Sequence, residues 1–533
     1  MNDCCLRPAT WAVTLLALTS MGGLAFAASA AQPPAIPAQE QPEVLSRGPV
    51  HEAFAEPVNL QFQAGLIAPE RPPPNIEEIP PEERPQGQQF VWIPGYWSWD
   101  ADRNGYIWVS ACWRAAPPGM SWVPGYWSQV SGGWEWVAGF WTPAGVREIE
   151  YLPEPPTVAE LEPYGTSPSQ DTIWVPPCMY WVQGQYVRRP GYWLAAQAHW
   201  VWVPSHYIMT PRGYLFAAGH WDYALDRRGV LFAPVYFPAT FYGRLGVTFS
   251  PSIIIDMGLL QISLFAYPRY HHYYFGDYYD NAYLSIGIYP WFDSQRYHTW
   301  YDPVYEHSRW RYRRSEPRWD ERQRHEYDRR RDNRDLRPAR TFREQEYRVA
   351  RLPETQRQAL QVTQPITAIA ARREKPMKFE RIDTGERQKI SKQATAVHTF
   401  RDERSRWEAP SAGSQKTVQP SGERKVTAPP QTGRQETVPL VRERNVPAPP
   451  PQTGRKETVP PVRERNVPAT PQPAKREPAI IPVREPRVSQ PERVKIPASP
   501  VFGRPEKTGI FQKGPPSQPD DEGRNKEGKG RRK

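Results

Sequence analysis

Nine times between Trp92 and Phe237 the chain returns to one six-residue phrase, written in full as Trp122-Val123-Pro124-Gly125-Tyr126-Trp127. Close copies start at Trp92, Trp108, Trp136, Trp174 and Trp202, and weaker ones at Arg188, Phe216 and Phe232. The start-to-start spacings are 16, 14, 14, 38, 14, 14, 14 and 16 residues. Self-similarity this regular means a repeated supersecondary unit. Trp, Val, Tyr and Ile suit a pleated, half-buried surface, and no apolar stripe at helical spacing runs through the phrase. Pro and Gly inside a helix would also weaken it by ~3 and ~1 kcal/mol. The phrase therefore reads as a strand. Six residues of strand leave eight of connector, too few for a parallel crossover, so neighbouring strands are expected to run antiparallel as a meander. Connectors such as Asp102-Arg103-Asn104-Gly105 and Ser131-Gly132-Gly133 carry hairpin chemistry.

The Pro-Gly pair inside the phrase needs a reason. Its first and sixth residues would face opposite ways in a regular strand. A bulge at Pro-Gly would absorb one residue and return both indoles to one face, Pro lacking a ladder donor and Gly tolerating positive φ.

The spacing Trp-x-x-Gly-x-Trp is complete at Trp92/Gly95/Trp97, Trp122/Gly125/Trp127 and Trp136/Gly139/Trp141. It resembles the WXXGXW (also YXWGXW) repeat family of bacterial secreted proteins. Later copies depart from it: Arg188/Gly191/Trp193 and Phe216/Gly219/Trp221 keep part of the pattern, and Trp202 is followed by Ser205 and Tyr207. The resemblance spans roughly residues 90–240 and implies export and a repeat architecture; it brings no catalytic residue with it.

The rest of the chain organises around this block. Residues 1–30 read as a secretory signal, with Arg7 before an apolar run and small residues at Ala25-Phe26-Ala27 and Ala28-Ser29-Ala30. The protein is expected to be exported to the periplasm, cell envelope or outside, with no transmembrane helix after cleavage. Residues 31–88 form a Pro/Glu-rich extended leader, and 89–305 the aromatic β-repeat module, split by a Pro-rich acidic insert at 142–173. Residues 306–372 make a charged helical segment. Residues 373–533 make a disordered, basic, Pro-rich tail with 21-residue repeats, Val441-Arg442-Glu443, Val462-Arg463-Glu464 and Val483-Arg484-Glu485. The predicted fold is mainly β: about nine repeat strands plus a few more, then short charged helices and the tail.

Charge is segregated the same way. Met1–Ser308 carries a net −12 and Arg309–Lys533 a net +23, which make up the overall +11. A basic tail suits nucleic acid, but export puts genome and tail in different compartments. The expected partner is an anionic envelope polysaccharide or wall polymer held by the tail, with a solvated spacer as the other reading.

Candidate sites follow. Trp92, Gly95, Trp97, Trp122, Gly125, Trp127, Trp136, Gly139, Trp141, Trp193, Trp202 and Trp221 are assigned to the repeat core, since a repeat poor in Leu and Ile has little else to build one from. Trp99, Tyr106, Trp134 and Trp200 lie outside the hexads and are assigned to exposed ligand stacking. Export would leave Cys112 and Cys178 in an oxidising compartment, where a disulfide would close a loop of 66 residues and add ~4 kcal/mol; two buried thiols are the alternative. No nucleophile elbow, zinc-protease helix, P-loop or dinucleotide fingerprint is present. No catalytic residue, metal or cofactor is expected. The reading is a non-catalytic exported structural or interaction protein. A carbohydrate-binding module working through exposed Trp and Tyr is the alternative, and an enzyme with a site in 241–305 a more distant one.

Overall fold

Pairing of the hexads two by two is what organises the aromatic half. A computed structural model describes residues 41–62, 65–87, 89–158, 166–242, 248–297, 299–372, 377–409 and 491–502. The signal segment 1–30 and the three 21-residue repeats lie outside these. Within them the chain is mainly β, in small antiparallel sheets, with Thr248–Phe249 beside Glu77–Glu78 as a parallel exception.

In the first hairpin, 90–115, Phe90–Ile93 pairs with Cys112–Ala115 and Tyr96–Asp100 with Gly105–Val109. These ladders place Trp92 opposite Trp113 and Trp97 opposite Trp108. The second hairpin, 120–143, repeats the plan: Trp122 faces Trp141 and Trp127 faces Trp136. In the third, 172–195, Trp174 faces Trp193; in the fourth, 200–223, Trp202 faces Trp221 and Tyr207 faces Phe216. The hexads therefore form four separate hairpins instead of one continuous meander. The ninth hexad and the strand just before it return to the first hairpin, where Val230 of that strand faces Trp113 and Val235 of the hexad faces Trp108.

The expected bulge is absent. In each hairpin the ladder stops at the middle dipeptide of both strands and resumes in the same register, so neither strand gains a residue on the other. The two indole pairs of one hairpin consequently enter different cores: Trp92 and Trp113 pack with Trp202 and Trp221, whereas Trp97 and Trp108 pack with Phe237 and Val235. The glycines at hexad position four are not needed for positive φ. Space is the reason. A Cβ on Gly139 would lie 2.4 Å from Trp122 Cζ2, one on Gly125 2.5 Å from Trp136 Cζ2, and one on Gly191 2.2 Å from Trp174 Cζ2. Where a hexad keeps its glycine, the first Trp of the partner hexad thus lies over it, while first and sixth positions meet across the ladder. The motif is one half of a reciprocal clasp.

Around the hairpins, Leu264–Tyr267, His272–Phe275, Tyr289–Pro290 and Gly48–Pro49 form a further antiparallel sheet. Helices follow at Pro303–Tyr312, Trp319–Asp332, Phe342–Val349, Glu354–Arg357 and Ile366–Ala371. Asp302 and Thr341 cap the first and third of these by accepting from Tyr305 N and Glu344 N.

Two domain boundaries change. The described part of the leader, from 41 onward, is extended but packed: Phe54 and Val58 are fully buried. The tail reading also fails at both described ends of 373–533. Thr384–Trp407 is a 24-residue helix, capped by Asp383, that buries Val397, Phe400, Arg401 and Arg404. Glu492–Lys495 pairs with Glu148–Tyr151 of the acidic insert, and Val501–Phe502 with the strand Met120–Val123. Few apolar residues announce either segment; the helix is held instead by buried guanidinium groups.

Candidate functional site

Interrupting a ladder leaves backbone donors and acceptors unpaired in the interior, where each must find a partner. Two carboxylates from the leader supply acceptors. Glu52 Oε1 accepts from Gly125 N at 3.1 Å, and its Oε2 from Gly139 N at 3.1 Å and Trp136 Nε1 at 3.2 Å. Glu78 does the same in the first hairpin, accepting from Gly95 N at 2.9 Å and Ala111 N at 3.1 Å. Burial pushes both carboxyls up to about 7, against the pull of those backbone N–H groups. The long helix supplies the donors: Arg404 Nη1 donates to Pro124 O and Ala138 O, both at 2.9 Å, and Arg401 Nη2 to Gly95 O at 3.1 Å. Arg404 is further paired with Glu408 at 3.0 Å, both fully buried. These carboxylates resemble catalytic acids in burial alone. Their oxygens are engaged with the backbone.

The fourth hairpin substitutes a hydroxyl, Ser205 Oγ accepting from Gly219 N at 2.9 Å. The third departs furthest. Pro177 brings no N–H to its break, and its inner ladder sets Met179 against Arg188 where other hairpins set rings. Its Trp174 and Trp193, with centroids 5.3 Å apart, are half-buried.

That hairpin forms one wall of a cleft of about 700 Å3, within the ~300–1,000 Å3 span of small-molecule sites. Trp174, Trp193, Trp300, Tyr301, Trp310 and Arg313 line it, with the start of Trp319–Asp332 closing one side. Tyr301 Oη donates to Trp174 O at 2.9 Å and fixes the strand Trp300–Tyr301 to the hairpin. Trp310 and Arg313 come from the helix that Asp302 caps and from its C-terminal turn. Arg309 Nε donates to Asp320 Oδ2 at 3.1 Å, and Arg322 pairs with Glu316 at 2.6 Å, so two acids of the rim are occupied. Trp193 Nε1, Trp300 Nε1 and the Nε and Nη2 of Arg313 are out of solvent and donate to no acceptor among the described residues.

The residues assigned to exposed stacking sit elsewhere. Trp99 and Tyr106 are buried against each other with centroids 5.2 Å apart, and Trp200 is buried in a stack on Tyr223 at 4.7 Å. Both pairs extend a ladder by two residues, which covers them. Trp134 is half-buried beneath the Arg71 guanidinium at 5.8 Å. The repeat-core residues do lie in the hairpins, although Trp127 and Trp193 are only partly covered. Cys112 and Cys178 are free thiols, not a disulfide; burial pushes the Cys178 thiol up to about 12 and that of Cys112 higher still. They stand at position five of hexads in the first and third hairpins. In the Tyr-rich sheet His272 stacks on Tyr270 at 4.3 Å, and Arg337 holds both Asp277 and Asp280. Among the described residues no group of three or more His, Cys, Asp or Glu side chains is placed to hold a metal, and no helix is long and apolar enough to cross a membrane.

Sequence reasoning missed the cleft and both carboxylate clamps. One signal for the cleft was present: position six at Met179 and position one at Arg188 are where the hexad loses its aromatic ends. Comparison with family models, curated proteins and solved structures gives no match to this chain.

Proposed function

We propose that this is an exported, non-catalytic interaction protein of the cell envelope, related to the WXXGXW repeat proteins, and that its folded body holds saccharide in the indole-lined cleft. The carrying observation is the set of half-buried indoles Trp174, Trp193 and Trp310 around one cavity, in a protein whose other hexad indoles are mostly spent on the core. Flat indole faces suit the C–H faces of sugar rings, and a concave site with a few unpaired polar groups is where a small ligand would seat. Engagement of Glu52 and Glu78 by backbone donors, and of Asp277 and Asp280 by Arg337, speaks against hydrolysis in either region. The basic chain beyond Glu408 serves as a tether to anionic envelope polymer.

The test is a glycan array probed with full-length protein, followed by a Trp193→Ala/Trp310→Ala double variant. The expected result is saccharide binding lost in the variant at an unchanged urea midpoint. Binding to no saccharide, or unchanged binding by the variant, refutes the assignment. A Trp310→Ala single variant, altered only on the helix side, stands in if the double variant unfolds.

A further inference from the structure

The unpaired groups of the cleft are all of one kind. Two indole N–H groups and one edge of a guanidinium meet no acceptor among the described residues, and no described lining residue contributes a buried acceptor in the same condition. The indole N–H groups of Trp92, Trp202 and Trp221 share this state in the core, so the guanidinium edge is what marks the cleft: a charged donor out of solvent is unfavourable unless a ligand accepts from it. The cleft is thus matched to a ligand richer in acceptors than in donors.

Arg313 narrows the choice. Its free atoms are Nε and Nη2, the two that share one edge of the planar group and donate in parallel to two oxygens of one carboxylate. Neighbouring cations are already used: Arg309 by Asp320, Arg322 by Glu316 and Arg314 by Asp171 at 2.7 Å. Loss of hydration through burial draws the Arg313 guanidinium below its ordinary value, so an anion there gains more than it would at the surface. We infer that the cleft binds a carboxylate-bearing saccharide, a uronate unit whose ring lies against Trp174, Trp193 or Trp310 and whose carboxylate takes the Nε/Nη2 edge of Arg313. This rests on the saccharide reading above and adds its ligand class. It moves selective anion recognition from the basic tail to the folded body.

The experiment is a tryptophan-fluorescence titration of full-length protein at physiological salt with short oligogalacturonate and with its neutral methyl ester. No Trp lies beyond Trp407, so the signal reports the folded body and not the tail. The acid form is expected to bind at least about tenfold tighter than the ester. Arg313→Gln is expected to abolish the preference for the acid form over the ester at an unchanged urea midpoint. Arg313→Lys restores only part, because a point charge lacks the paired edge. Equal affinity for acid and ester, or a preference surviving Arg313→Gln, overturns this inference while leaving neutral saccharide binding in place. Inorganic phosphate competing as well as the uronate overturns the carboxylate assignment. Silence with both forms and with every neutral oligosaccharide overturns the saccharide reading itself.

Discussion

Replacing Gly139 by Ala puts the clasp to its most direct trial. The added Cβ would lie 2.4 Å from Trp122 Cζ2 and 2.8 Å from both Trp122 Cη2 and Glu52 Oε1. Ordinary contact is ~3.5 Å, so an indole that is 1 % exposed must move by roughly an ångström. Overpacking of this kind costs ~1–3 kcal/mol. Displacing Glu52 also weakens its 3.1 Å bond from Gly139 N, a buried bond to a carboxyl worth ~1–3 kcal/mol. The two together give about 2–6 kcal/mol. Gly105→Ala is the control: its Cβ meets nothing nearer than Arg103 O at 3.8 Å, so the change is expected within ~0.5 kcal/mol of neutral. Urea unfolding of the full-length variants, followed by tryptophan fluorescence, measures both. Adding Trp122→Leu to Gly139→Ala reopens the space, so the double variant should lose less than the two singles summed. Equal loss at Gly139 and Gly105, or plain additivity with Trp122→Leu, would refute the clasp.

Arg404→Met leaves Pro124 O, Ala138 O and Glu408 without their buried cation and is expected to lower stability by ~3–5 kcal/mol in the same assay; a loss under ~1 kcal/mol would mean the helix is not what closes the second hairpin. Thiol titration of unreduced, urea-unfolded protein should find Cys112 and Cys178 both reactive, whereas a bridge between them would leave neither. Burial pushes the His272 imidazole down to about 3, below its unfolded value of ~6.5, so the unfolded chain binds the extra proton and stability present above pH ~6.5 is lost as pH falls toward 3. Between pH 7 and pH 5 this group accounts for ~2 kcal/mol of loss, and His272→Gln should flatten the stability-pH curve by that much; an unchanged slope would show the ring protonated in the folded state.

How much of this could be read from residues alone depends on the range of the interaction. Strand character and antiparallel pairing follow from local composition and connector length, and both hold at Trp92–Trp113 and Trp122–Trp141. The role of the motif glycine did not follow, because what excludes a side chain at Gly125 is an indole eleven residues away across the hairpin, at Trp136. Glu52 and Glu78 were indistinguishable from linker acids, since the amides they accept from belong to Gly139 and Ala111, far along the chain. Trp200 and Trp99 were assigned to the surface for lying outside a hexad, but a cross-strand ring covers each. The cleft needed Trp310 and Arg313 to be folded against a hairpin more than a hundred residues earlier, which no periodicity records.

Because each motif glycine is covered by a ring from its partner hexad, a lone copy arriving by duplication would be incomplete. The heritable block is a couple of about thirty residues, and lineages should gain or shed copies in twos. An odd member survives only by joining a settled couple, as the ninth does beside Trp108. A homologous chain with one hexad neatly excised and the rest intact would contradict that history.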